Sequence, residues 1–66
     1  MRLTVNGKEI HLEREMSIFE FLRSRGVGEG MVAVEHNSSW TPREVWPNIL
    51  LKENDRVEVI QIMAGG

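Results

Sequence analysis

The chain has 66 residues, 41% hydrophobic and 27% charged, with a formal net charge of −2: one small domain, residues 1–66, with a thin core and little room for an enzyme cleft. It has no cysteine, which excludes disulfides, thiolate metal sites and cysteine nucleophiles, and its two histidines, His11 and His36, are too few for a structural metal site. No apolar run approaches the roughly 20 residues of a membrane helix, Met1-Arg2-Leu3-Thr4-Val5-Asn6-Gly7 is too polar for a signal peptide, and the scattered charges offer nucleic acid no basic stripe, so a cytoplasmic carrier, binding module or subunit is expected.

Leu3 and Val5 alternate with Arg2, Thr4 and Asn6, and Ile10 and Leu12 alternate with Glu9, His11 and Glu13. Asn6-Gly7 between them accepts the positive φ angles of a type I′ turn. Residues 2–13 therefore read as a β-hairpin, with Leu3, Val5, Ile10 and Leu12 on its buried face. The period then changes. Ser17-Ile18-Phe19-Glu20 fits a capping box, with Met16 and Phe21 placed for a hydrophobic staple. Ile18, Phe21 and Leu22 share one helical face. Arg23 and Arg25 suit the last turn, and Gly26 suits a left-handed cap. A short amphipathic helix is predicted over residues 18–25.

Val32-Ala33-Val34-Glu35-His36 reads as a third strand and Asn37-Ser38-Ser39 as a turn. Trp40-Thr41 starts a short fourth strand that Pro42 stops. Arg43-Glu44-Val45-Trp46 reads as a single helical turn before Pro47. Ile49-Leu50-Leu51 is a short apolar run, and Lys52-Glu53-Asn54-Asp55 is a turn. Residues 56–63 carry the strongest strand pattern, and Ala64-Gly65-Gly66 follow as a small, flexible tail. A sheet with one helix across it is the smallest architecture that buries these faces, an α+β domain.

Few residues offer chemistry. Gly26-Val27-Gly28-Glu29-Gly30 follows a helix instead of joining a strand to one, so it reads as a cap and turn and not as a phosphate loop. His11 and His36 read as surface histidines, and the carboxylates as solvated groups with no apolar setting to raise a pKa. Trp46 reads as core; Trp40 reads either as packing or as an exposed contact anchor. In the last strand Val57 and Val59 share one face, while Ile60 and Ile62 fall on the other. Either a bulge restores the register or Ile60 and Ile62 form an exposed patch of the kind that marks interfaces. Gly65-Gly66 reads either as a frayed end or as a slender tail. Without side chains such a tail threads a narrow channel and presents its carboxylate to another protein's active site. A carboxylate reacts only once activated, normally as an acyl adenylate made from ATP.

Leu3-Thr4-Val5-Asn6-Gly7-Lys8, Ser17-Ile18-Phe19-Glu20-Phe21-Leu22, Val32-Ala33-Val34-Glu35, Pro42-Arg43-Glu44-Val45-Trp46 and Asp55-Arg56-Val57-Glu58-Val59, closing on Ala64-Gly65-Gly66, together resemble the ThiS/MoaD family of ubiquitin-like β-grasp proteins, and within it the ThiS branch. The resemblance covers essentially the whole chain. Asn37-Ser38-Ser39 departs from it, since many relatives have Asn-Gly there. The family implies a mixed five-stranded sheet grasping one helix, with the first and last strands adjacent and parallel. It also implies a sulfur carrier for the thiazole of thiamine, a co-substrate and not an enzyme. On that resemblance a ThiF-like adenylyltransferase would adenylate the Gly66 carboxylate, sulfur from a desulfurase-derived persulfide would then replace AMP to leave a thiocarboxylate, and thiazole synthase, ThiG, would accept that sulfur. Ala64 and Gly65 would form the tail, and Ile60, Ile62 and Met63 the partner-binding surface. No cofactor is expected on the carrier itself, ATP being used by the activating partner. A MoaD-like carrier for molybdopterin or another pathway, or a non-covalent β-grasp binding module, is the alternative; carriers of the MoaD kind are commonly longer, and Pro42 to Trp46 favours ThiS.

Overall fold

The computed structural model describes residues 1–62, the Glu29 side chain excepted. The sheet begins where the sequence says it should. Asn6 and Gly7 take φ of 50° and 80°, the left-handed pair that a two-residue hairpin turn requires. They join β1 (Arg2–Val5) to antiparallel β2 (Lys8–His11), with Leu3 opposite Ile10 and Val5 opposite Lys8. Leu3 and Leu12 are buried; Val5 and Ile10 are only half-buried against the core.

The one α-helix among the described residues, α1, spans Ile18–Ser24. Its capping box is complete: the Glu20 N–H donates to Ser17 Oγ at 3.0 Å and the Ser17 N–H donates to Glu20 Oε1 at 2.9 Å. Its other end closes with Gly26 N–H on the Arg23 carbonyl and Val27 N–H on the Leu22 carbonyl, with Gly26 at φ 73°. That is a Schellman cap, which satisfies carbonyls the helix itself cannot. Arg25 is the C-cap residue and lies just past the helix.

A short 3₁₀ turn, Glu29–Met31, leads into β3 (Val32–His36). β4 (Ser39–Thr41) pairs antiparallel with β3. The departure at Asn37-Ser38 does not break this hairpin: both residues go left-handed, at φ 51° and 73°. Next comes a 3₁₀ helix, Arg43–Asn48. The predicted stop at Pro47 is corrected here, since Pro47 sits inside that helix; its fixed φ suits helical geometry and its missing N–H costs little in so short a helix. Residues 49–51 run beside the start of α1, where Leu51 N–H donates to the Met16 carbonyl at 2.9 Å and Ile18 N–H donates to the Ile49 carbonyl at 2.9 Å.

β5 (Arg56–Gln61) enters the middle of the sheet, parallel to β1 and antiparallel to β3. The order is β2-β1-β5-β3-β4, a mixed five-stranded sheet with α1 across one face. Between sheet and helix lie Leu3, Ile18, Phe21, Leu22, Val34, Leu51 and Val57, all buried, with Trp46 closing one side. The Trp46 indole N–H donates to Thr41 Oγ1 at 3.0 Å, and Thr41 Oγ1 in turn donates to the Val34 carbonyl at 2.8 Å. This keeps the polar atoms of a buried aromatic satisfied.

Candidate functional site

The candidate site is the open face of the sheet and the end of β5. Alternation places Val57 and Val59 toward α1, and Glu58 and Ile60 outward. All five β3–β5 pairs, from His36↔Val57 to Val32↔Gln61, follow one unbroken register. No bulge intervenes, so of the two readings the exposed patch holds. Ile60 and Ile62 are each 50% exposed. One helix covers one face, and nothing among the described residues covers the other.

Trp40 belongs to the same surface. It stands on β4 opposite Glu35, is 66% exposed, and borders one groove with Ala33 and Ile62. Beside this apolar strip Glu35 and Glu58 face each other across the β3–β5 pair. Like charges directly opposite on a sheet oppose its stability, and no ion pair among the described residues relieves them. The surface is therefore an apolar strip with an acidic margin.

Just past β5, the Ile62 N–H donates to the Met31 carbonyl at 2.8 Å. β1 ends well before this point. Asn6 takes over its pairing role: the Val59 N–H donates to Asn6 Oδ1 at 2.7 Å and Asn6 Nδ2 donates to the Val59 carbonyl at 3.3 Å. An amide side chain thus mimics one residue of a neighbouring strand. Met63 and the predicted tail, Ala64, Gly65 and Gly66, lie outside the described residues, so of the predicted site residues Ile60 and Ile62 are the ones placed.

His36 and Asp55 need correction. Neither is a free surface group. Asp55 is buried and His36 half-buried, with His36 Nε2 donating to Asp55 Oδ2 at 2.8 Å. Asn37 Nδ2 donates to Asp55 Oδ1 at 3.1 Å, and the Lys52 N–H donates to Oδ2 at 2.9 Å. Burial by itself would raise the Asp55 pKa; the hydrogen bonds from His36, Asn37 and Lys52 outweigh it and hold the carboxyl below its ordinary value. Asn37 Oδ1 also accepts from the Arg56 N–H at 2.8 Å. The cluster pins the β3–β4 turn to the start of β5. It has no nucleophile to serve, and the donors occupy both carboxylate oxygens, so its work is structural. His11 is exposed, as expected. Among the described residues no group of three or more His, Cys, Asp or Glu is placed to hold a metal ion, and no helix is long and apolar enough to cross a membrane.

Comparison with known proteins gives a consistent result. The model of the ThiS family matches residues 2–66. The crystal structure of the thiamine biosynthesis protein ThiS from Geobacter metallireducens superposes with a TM-score of 0.87, is 33% identical, and is covered fully, as is this chain. A thiazole synthase from Paramagnetospirillum magneticum is 29% identical over 66 residues, and one from Magnetococcus marinus is likewise 29% identical over 66 residues. In both cases the match takes in 100% of this chain but spans only 20% of the length of the relative.

Proposed function

The chain belongs to the ThiS family, and from that membership we propose that it is a sulfur carrier that supplies the thiazole moiety of thiamine through its Gly66 carboxylate. The observation that carries this reading is a family match that runs to residue 66 and so takes in Gly65-Gly66. The fold is compatible with it, because β5 ends five residues before Gly66 in the sequence and the Ile62 N–H is bonded to the Met31 carbonyl beside it. The thiazole synthases that contain a stretch like this chain support ThiG as the sulfur acceptor.

In the proposed reaction, the Gly66 carboxylate oxygen attacks the α-phosphorus of ATP on a ThiF-like adenylyltransferase. Pyrophosphate leaves and an acyl adenylate remains. The terminal sulfur of a desulfurase-derived persulfide attacks the acyl carbon and expels AMP, giving an acyl disulfide. A thiol then attacks the sulfur still bonded to the donor, forms a disulfide with it, and releases the other sulfur on the carrier as the thiocarboxylate. The carrier contributes the acyl group and the docking surface; nucleotide chemistry belongs to its partner, in the cytoplasm. Ile60, Ile62 and Met63 are proposed as the apolar contact, and the Glu35–Glu58 margin suits a basic partner surface.

The test is sulfur loading. With its adenylyltransferase, ATP and a sulfur donor, the protein should exchange oxygen for sulfur at Gly66. Gly66→Ala should slow the step, and deletion of Gly66 should nearly abolish it. Mass alone misleads, because that exchange weighs almost the same as oxidising one methionine, and Met1, Met16, Met31 and Met63 are available. The change must therefore map to the Gly65-Gly66 fragment and react with a thiol-directed alkylating agent. An equal mass shift in the Gly66 deletion would overturn the proposal.

A further inference from the structure

The helix is too short for the sheet it covers. α1 has 7 residues, about 10 Å of helix, whereas β5 has 6, about 20 Å of strand. The shortfall lies beyond the Schellman cap. There Val5, Ile10, Val27 and Val59 pack on the core yet stay only half-buried. Between them lies a groove of about 240 Å³, room for one large apolar side chain.

Two cations stand at its rim. Lys8 is on the inward face because it lies opposite Val5, and Arg25 caps α1. Both are exposed. The Arg25 guanidinium lies 5.2 Å from the centroid of the Phe21 ring, which holds its charge against the groove wall. None of the ion pairs among the described residues involves Lys8 or Arg25. The helix-end carbonyls of Leu22 and Arg23 are already occupied by the Val27 and Gly26 N–H groups.

We propose that this groove docks an acidic-apolar segment of a partner protein, in which one large aliphatic or aromatic side chain is flanked by Asp or Glu. Charge complementarity selects that occupant: the apolar floor takes the side chain, Lys8 and Arg25 take the carboxylates, and a basic segment is repelled. The groove is on the helix side of the sheet, whereas Ile60 and Trp40 are on the open side. Two different proteins can therefore hold the molecule at once. The inference goes beyond the carrier reading and does not depend on chemistry at Gly66.

The test is a methyl NMR titration of the full chain with the peptide acetyl-Asp-Phe-Glu-amide and its charge-inverted counterpart acetyl-Lys-Phe-Lys-amide. The acidic peptide should give saturable shifts at the Val5, Ile10, Val27 and Val59 methyls, and the basic peptide none. Lys8→Glu combined with Arg25→Glu should weaken the acidic peptide about ten-fold or more. If that variant loses its native spectrum, the neutral pair Lys8→Gln and Arg25→Gln replaces it and should weaken binding several-fold. Absence of saturable shifts, equal response to the two peptides, shifts confined to Ile60 and Ile62, or affinity unchanged in the folded variant would each overturn the proposal.

Discussion

Asp55 shows how one residue in so small a core takes on a task its neighbours in sequence do not announce. Three donors converge on its carboxylate, and they hold its pKa below the ordinary value against the opposing effect of burial. A group whose folded pKa is lowered stabilises the fold above its unfolded value, about 3.9, and that contribution is lost as pH falls through the folded pKa. Asp55→Asn keeps the shape but removes the charge. It should cost about 1–3 kcal/mol near neutral pH. Urea unfolding across an acid series should show the gap between the two proteins closing as the wild-type carboxyl takes up its proton. A gap that widens on acidification would contradict the assignment.

At the scale of elements, the two hairpin turns pose a contrast. Asn6-Gly7 places glycine where φ is 80°; Asn37-Ser38 places serine where φ is 73°. A side chain in the left-handed region costs about 1–2 kcal/mol, and glycine returns part of that through its looser unfolded chain. Ser38→Gly should therefore raise stability by about 0.5–1 kcal/mol, read as a higher urea midpoint at unchanged m-value. The same contrast explains what could be foreseen. α1 was legible because its capping box spans only Ser17 to Glu20, and the first hairpin because Asn-Gly states its turn outright. The second hairpin was legible as a turn, but Ser38 carries no glycine signal for its geometry. β5 showed its alternation but not which face the lone helix would cover, so patch and bulge looked alike until the register with β3 was known. The Asp55 cluster was hidden altogether: His36 and Asp55 are 19 residues apart, and only the β3–β5 register brings them together.

For the molecule as a whole, the helix-covered face holds the core and the bare face carries the exposed Ile60 and Ile62, the apolar contact proposed above. Ile60→Asp separates the two. The side chain is half in water, so the variant should stay folded, at a cost of about 1 kcal/mol for an Asp in a strand. Its affinity for the adenylyltransferase in a pull-down or calorimetric titration should fall about ten-fold or more, since a buried unpaired charge replaces an apolar anchor. Unfolding would mean that Ile60 is core after all, and unchanged affinity would move the contact elsewhere. The hydrogen bond from Ile62 to Met31 then acquires a metric meaning. It fixes a point of measurement. Covalent geometry alone allows four residues at most about 14 Å of reach, so on the proposed chemistry the catalytic centre that receives Gly66 is to be sought within that radius of Ile62, and the Ile62–Met31 rung becomes the mark from which the depth of a partner's active site is gauged.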